Sequence, residues 1–277
     1  MLKNSKIKTG IVGCGAIGGV IADAIINKFK GSITLIGVAD IDEAKAHALL
    51  SRLNMEERFK PLLLRRDELI RQCDLIVESA SGSVSYEIAK EALQAGKSII
   101  AMSTGGLLNK PDIFEIAEKS AGKLYIPSGA ICGLDGLKAA MMASVRSVTL
   151  TTKKPPKGLA GAPYIAENRI DLNSIKNETV IFEGTAAEAV KGFPKNVNVA
   201  ATLSLCGLGA NKTRVRIVTS PGYTSNTHEV EITGDFGRLR TVTDNVPMPT
   251  NPKTSYLAAL SAIAVLDGII SSAKIGN

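Results

Sequence analysis

No tryptophan occurs in the chain, and its aromatic side chains amount to six Phe and five Tyr. So few flat faces leave little to stack on bases, so a net charge of +7 does not by itself mark a nucleic-acid binder. Basic residues are interleaved with acids, as in DEAKAHALLSRLNMEERFK, and no long block of one sign occurs. A basic surface that attracts anionic small molecules is the better reading. The four cysteines (Cys14, Cys73, Cys132, Cys206) form no C-x-x-C pair, so neither a structural metal nor a disulfide framework is expected. No apolar run approaches the roughly 18–20 residues of a membrane span. The start, MLKNSKIKTG, lacks an apolar signal core and a cleavage site. The expectation is a soluble cytoplasmic protein with no membrane or nucleic-acid partner.

What is present is a globular composition, 45% apolar and 21% charged, over 277 residues, enough for two domains. Strand-like and helix-like runs alternate from the start. Residues 7–12 read as a strand, and Ile17, Val20, Ile21, Ala24, Ile25 and Phe29 recur at helical spacing. Residues 33–40 form a continuous apolar run. Helices are predicted at 42–53, 66–72, 84–95 and 111–120, with strands at 74–80, 98–103 and 123–129. This alternation implies a parallel sheet with helices on both sides. After about residue 130 the pattern changes. A short helix (134–145) precedes strands in SVTLTTKKPP, TVIFEG, TRVRIVTS, HEVEITG and RLRTVTD, most with polar–apolar alternation and mostly antiparallel. The segment KNVNVAATLSLCGLG reads as a helix after Pro194. A last helix is predicted from Asn251 as N-cap and Pro252 as its first residue to about Ile270.

Between the first strand and the first helix stands GCGAIG: Gly13, Cys14, Gly15, Ala16, Ile17, Gly18. Alone, a G-x-G-x-x-G match is weak, but strand before, helix after and a βαβ unit around it make it a dinucleotide fingerprint. Gly13 would permit the turn, Gly15 the approach of a pyrophosphate, and Gly18 close helix–strand packing. Asp40 ends the second strand about 20 residues further on, where a carboxylate holds adenosine ribose hydroxyls and repels a 2′-phosphate. NAD is therefore the expected cofactor, with NADP possible. The fold expected is α/β: an N-terminal Rossmann doubly wound parallel sheet (1–130) and a smaller α+β catalytic domain with a mostly antiparallel open sheet (131–250). The 251–277 segment is expected to pack back on the first domain.

Ligands of such sheets lie beyond the carboxyl ends of the strands, here at Ser79, Ala80, Ser103 and the Pro127–Gly133 run containing Cys132. Cys132 has no basic partner nearby in sequence, which favours a lining role over a nucleophilic one. Of the two histidines, His47 falls in a charged helix. His228 shares one strand face with Val230 and Ile232, which makes it either a hydrogen-bonded core histidine or a general acid/base. Lys153, Lys154 and Lys195 lie near the expected cleft edge, and of these Lys153 and Lys195 are the favoured carboxylate anchors. An open antiparallel sheet beside a long apolar C-terminal helix suggests a homodimer.

Over its whole length the chain resembles the L-aspartate dehydrogenase family. The likeness rests on GIVGCGAIG, ESAS, IIAMSTGGL, IPSGAICGLDGLKAA, VTLTTKKPP, FPKNVNVAATLSLCGLG, TRVRIVTSPGYTSNTHEVEI and NPKTSYLAALSAI. That resemblance implies NAD(P)-dependent oxidation of L-aspartate to iminoaspartate, which hydrolyses to oxaloacetate and ammonia or feeds NAD biosynthesis. It further implies His228 as the active-site residue, with Asn198 and Cys132 as cofactor contacts near the nicotinamide. Relatives often carry glycine or alanine at the Cys132 position and cysteine at that of Ser79. Alternatives are a homoserine dehydrogenase or dihydrodipicolinate reductase of the same architecture, although PSGA stands here without the reductase's His-His pair and Lys-x-x-x-Pro-Ser-Gly-Thr. An acylating semialdehyde dehydrogenase, which would need a committed cysteine–histidine pair, and a non-catalytic NAD-sensing protein are more distant.

Overall fold

Residues 5–53, 60–194, 198–248 and 251–275 are described by a computed structural model. Two units divide the chain: one runs to Pro127 and takes in Ala259–Ala273, and the other runs from Ser128 to Ala258. In the first, the elements are β1 (Ile7–Val12), α1 (Ala16–Asn27), β2 (Ile33–Ala39), α2 (Glu43–Arg52), β3 (Leu62–Leu63), α3 (Arg66–Gln72), β4 (Leu75–Glu78), α4 (Gly82–Gln94), β5 (Ser98–Ala101), α5 (Asp112–Lys119) and β6 (Leu124–Tyr125). The sheet order is β3-β2-β1-β4-β5-β6, with every pairing parallel. Connections leave β1 in one direction and β4 in the other, so the order reverses between these two strands. A crevice opens at such a point beyond the carboxyl ends. The strands are apolar on both faces because helices cover both, and Ile11, Val38, Val77 and Ile100 are buried in one core with Ile21 and Ile25 of α1.

Two strands stop earlier than their apolar runs suggest. β4 ends at Glu78 and β5 at Ala101, because the Glu78 carboxylate captures the next backbone donors, Ala80 N at 2.8 Å and Ser103 N at 3.0 Å. β6 is shorter still, so most of 123–129 is loop.

The second unit contains α6 (Leu134–Ala140), β7 (Val145–Lys154), α7 (Pro163–Glu167), β8 (Thr179–Thr185), α8 (Ala186–Gly192), α9 (Asn198–Cys206), β9 (Arg214–Thr219), β10 (Asn226–Gly234), β11 (Gly237–Asn245), β12 (Pro247–Met248) and β13 (Asn251–Ser255). The order β11-β10-β7-β9-β8 is antiparallel apart from β7–β9, which is parallel. The long connection through β8, α8 and α9 makes that parallel return possible. The sequence reading assigned no helix to AAEAVKG. Its start is a reciprocal cap, in which Glu188 N donates to Thr185 Oγ1 at 3.3 Å and Thr185 N donates to Glu188 Oε2 at 2.7 Å.

One face of this sheet carries Val148, Leu150, Val215, Ile217, Val230 and Ile232 into a core shared with Phe182, Phe193 and Ala200. The other face is polar and crossed by ion pairs, among them Arg240–Glu229 at 2.8 Å, Arg216–Glu183 at 3.9 Å and Arg238–Glu231.

The last helix, α10 (Tyr256–Ile270), starts later than the predicted Asn251 cap. Residues 251–255 instead form β13, which pairs antiparallel with β12. The amide of Tyr256 donates to Val246 O at 3.0 Å, so the helix begins where this ribbon closes. Ala262 and Leu266 of α10 lie in the same core as Ile21 and Ile25. Among the described residues, no helix is long and apolar enough to cross a membrane.

Phe193 is fully buried and packs edge-on or tilted against Phe182 and Tyr164, with ring centroids 5.6 and 5.2 Å away. Phe193→Ala should cost about 3–5 kcal/mol, the usual price of an aromatic cavity. A urea titration followed by far-UV circular dichroism would read it, and an unchanged midpoint would contradict the packing described.

Candidate active site

In the first unit the glycine loop is fixed by contacts that tolerate no side chain at two of its positions. Gly13 has φ +100°, and a Cβ there would lie 2.5 Å from the Ser79 carbonyl carbon. A Cβ on Gly18 would lie 2.1 Å from Gly13 O. Gly15, at the N-terminus of α1, faces open space: nothing stands within 4 Å of where its Cβ would be. Backbone packed tight behind and left open in front is the shape a pyrophosphate needs, with the helix N-terminus supplying partial positive charge. Cys14, between the glycines, is buried, and burial pushes its thiol up to about 12, so it stays protonated and unreactive.

Ser79 ties this loop to the next strand end. Its amide donates to Val12 O at 2.8 Å and its hydroxyl to Gly13 O at 2.8 Å. Asp40 closes the loop from the other side, accepting from Cys14 N at 2.6 Å and Asp42 N at 2.9 Å. The carboxylate is thereby held against the loop, with its remaining lone pairs available for ribose hydroxyls. Glu78 is fully buried and also accepts Ser103 Oγ at 2.8 Å; burial pushes its carboxyl above the usual range, against the pull of these bonds.

In the second unit, the β7–β10 register sets Thr152 opposite His228, and the β10–β11 register sets Thr243 on its other side. His228 Nδ1 and Thr152 Oγ1 lie 3.0 Å apart. His228 is 3% exposed, and burial, with the charge of Lys154 adding to it, pushes its imidazolium down to about 3. The ring is therefore neutral at neutral pH. The Cys132 region is pinned to β11: Thr241 Oγ1 donates to Cys132 O at 3.2 Å, and Thr243 Oγ1 and Asn245 Nδ2 donate to Ala130 O at 3.0 and 3.1 Å. The thiol of Cys132 is exposed.

Of the sequence candidates, Gly13, Cys14, Gly15, Ala16, Ile17, Gly18, Asp40, Ser79 and Ala80 converge on one loop cluster of the first unit. His228 and Cys132 fall on the second unit around β11. Asn198 opens α9 and is exposed, as is His47. Lys153 lies on the face of β7 away from His228, 3.9 Å from Glu178. Lys195 lies outside the described residues. Lys154 is the lysine on the His228 side, 7% exposed, with its ammonium brought down to about 8 by burial. Strand alternation counted from Val148 and Leu150 signals that inward position, whereas nothing in the sequence identifies Thr152 as the partner of His228 or Glu78 as that of the Ala80 and Ser103 amides. Among the described residues, no group of three or more His, Cys, Asp or Glu is placed to hold a metal ion.

Two outcomes follow from this geometry. Replacing Asp40 by Ser removes the charge facing a 2′-phosphate, so the kcat/KM ratio of NADP to NAD should rise about tenfold or more; an unmoved ratio would refute the placement of Asp40. For His228, the unfolded chain takes up a proton near the ordinary value of 6.5 while the folded chain stays neutral to about 3. Stability present above that ordinary value is therefore lost as pH falls below it, by up to about 1.4 kcal/mol per pH unit. Urea midpoints of His228→Gln should show a shallower acid slope than the parent, and equal slopes would count against a buried neutral imidazole.

The second half of the chain, residues 135–269, matches the family model "Aspartate dehydrogenase, C-terminal", and residues 13–127 match "Homoserine dehydrogenase, NAD binding domain". Among curated proteins, an L-aspartate dehydrogenase of Methanosarcina mazei is 48% identical over 98% of this chain and 100% of its own. One of Bradyrhizobium diazoefficiens is 40% identical over 95% of this chain and 91% of its own. The crystal structure of aspartate dehydrogenase from Thermotoga maritima superposes with a TM-score of 0.76 at 26% identity, covering 98% of this chain and 100% of that one. Apo scyllo-inositol dehydrogenase from Lactobacillus casei, at TM-score 0.54 and 15% identity, shares the fold alone. With a nucleotide-binding first unit and relatives this similar along its whole length, the chain belongs to the L-aspartate dehydrogenase family.

Proposed function

We propose that this protein catalyses the NAD(P)-dependent oxidative deamination of L-aspartate, through iminoaspartate, to oxaloacetate and ammonia. The observation that carries the reading beyond family membership is His228, a buried imidazole set opposite Thr152 on the inward face of the mixed sheet, next to the aliphatic core. The glycine loop with Asp40 would hold the nucleotide, whose nicotinamide when bound accepts the hydride from the substrate's Cα.

What the chain's own residues contribute is proton handling and placement. Aspartate arrives as an ammonium and loses hydride only as the free amine, so a base must first take a proton. In the tautomer whose Nδ1–H donates to Thr152 Oγ1, 3.0 Å away, the lone pair of His228 sits on Nε2 and can accept it. That proton must leave the ring before the later step, in which the imidazole, neutral again, draws a proton from the water that adds to the iminium carbon and returns it to the departing nitrogen. Burial keeps bulk water from competing for the ring.

Asn198 and Cys132 are read as contacts near the nicotinamide on the family resemblance. The four cysteines are free thiols, which fits a reducing cytoplasm. A homodimer is read on the open mixed sheet and the apolar last helix, Val242 on the outer sheet face being half exposed; light scattering at twice the 29.1 kDa chain mass would support it, and one chain mass would withdraw it.

The decisive measurement is absorbance at 340 nm with protein, L-aspartate and NAD, then NADP, and in reverse with oxaloacetate, ammonia and NADH. NADH should appear with aspartate, and His228→Ala should lower kcat by about 100-fold or more while leaving NAD binding in place. No turnover in either direction would overturn the reading.

A further inference from the structure

His228 and Lys154 are the two buried basic side chains among the described residues of the second unit. They lie on the same face and at the same end of the mixed sheet. β10 is the middle strand of three there, with β7 on one side and β11 on the other. Thr152, opposite His228, is followed two residues on by Lys154. Thr243, opposite His228 on β11, is followed two residues on by Asn245. Lys154 and Asn245 therefore stand one level beyond the imidazole on the same face, Asn245 opposite Asn226.

Two observations point from this arrangement to a ligand. First, Lys154 and Thr152 are polar residues turned among Leu159, Ala189 and Ala200, and the packing there leaves a void of about 10 Å³, room for one water at most. Second, Asn245 is 3% exposed, and its amide orientation is fixed by Nδ2 donating to Ala130 O at 3.1 Å and Thr243 O at 3.3 Å. Its Oδ1 is left as a buried acceptor with no hydrogen-bond partner among the described residues. A buried cation and a vacant acceptor one level beyond a base complement a molecule carrying a carboxylate and an amine.

We propose that Lys154 is the residue that recognises a carboxylate of the amino-acid substrate, beside His228. Lys153, the neighbour with the same charge, points to the opposite face. This assignment rests on the dehydrogenase reading for the identity of the substrate, but not for the site itself. The ammonium accounts for a preference for acidic over neutral amino acids. It also acts on His228: burial holds the imidazole unprotonated and the charge of Lys154 adds to it, so a carboxylate laid against Lys154 offsets that second contribution and the base strengthens when substrate is in place. Among the described residues of the second unit, the ionisable groups facing His228 reduce to Lys154. The inward positions of β9 and β11 are aliphatic, hydroxyl or amide (Val215, Ile217, Leu239, Thr243, Asn245), and those of α8 and α9 are Ala189, Ala200 and Leu203.

The test uses succinate, a dicarboxylate without an amine to oxidise, titrated calorimetrically into the whole protein saturated with NADH. Lys154 sits near pH 8, so at about pH 8.5 a bound carboxylate should draw roughly half a proton onto it, seen as a dependence of the heat on buffer ionisation enthalpy. Lys154→Met, matched to the apolar surroundings, should weaken succinate roughly thirtyfold or more and abolish the proton uptake; Lys154→Arg should keep most of the affinity. NADH affinity, set in the first unit, should be unchanged in both and reports that the variants are folded. Succinate binding within threefold of the parent in Lys154→Met, with proton uptake retained, overturns the proposal, as does a parent that binds no succinate. Aspartate turnover by the parent is measured alongside. Turnover without a Lys154 effect sinks this proposal alone, and a Lys154-dependent succinate site without turnover sinks the dehydrogenase reading alone.

Discussion

The register between β7 and β10 is the constraint on which the chemistry of the second unit depends. Side chains alternate across a strand, so a slip of one residue would carry His228 to the charged outer face and Glu229 into the core. The apolar partners on the same face, Val230 and Ile232 against Leu150 and Val148, make such a slip prohibitive. Burial of aliphatic side chains thus fixes where an imidazole stands and which hydroxyl meets it. The catalytic candidate is placed by residues that have no chemistry of their own.

The first unit solves a different problem by the same economy. Its functional surface is backbone, and the side chains that matter there act on backbone. Ser79 holds Gly13 O, Asp40 holds Cys14 N, and Glu78 holds the amides of Ala80 and Ser103. Each bond pulls one strand-end turn toward another, so the crevice edge is rigid before any nucleotide arrives. A carboxylate kept wholly out of water at Glu78 is costly, and it is compensated by two backbone amides that the strand ladder no longer uses and by the Ser103 hydroxyl.

Much of this was legible from the sequence, for identifiable reasons. GCGAIG and Asp40 were readable because their meaning lies in local spacing, and the face of His228 followed from alternation with Val230 and Ile232. The start of the last helix misled, since Asn251 and Pro252 carry good capping chemistry but fall in β13, where Asn251 pairs with Met248 of β12, a contact no local pattern announces. Lys153 was favoured over Lys154 although the alternation from Val148 already turned Lys154 inward; charge near a cleft edge outweighed parity. Thr152, Asn245 and Glu78 were beyond reach, because their roles come from partners 76, 115 and 25 residues away.

The membership of α10 in the first core has a consequence for how the protein is made. A ribosome delivers β1 to β6 early, yet Ala262 and Leu266, which share a core with Ile21 and Ile25, emerge only after the second unit. Throughout the synthesis of the second unit, the nucleotide-binding unit must wait with an apolar surface uncovered, where a chaperone or a premature encounter could find it. Completion of the first half is thereby tied to completion of the second, and a chain released early would lack the helix that finishes its nucleotide-binding core.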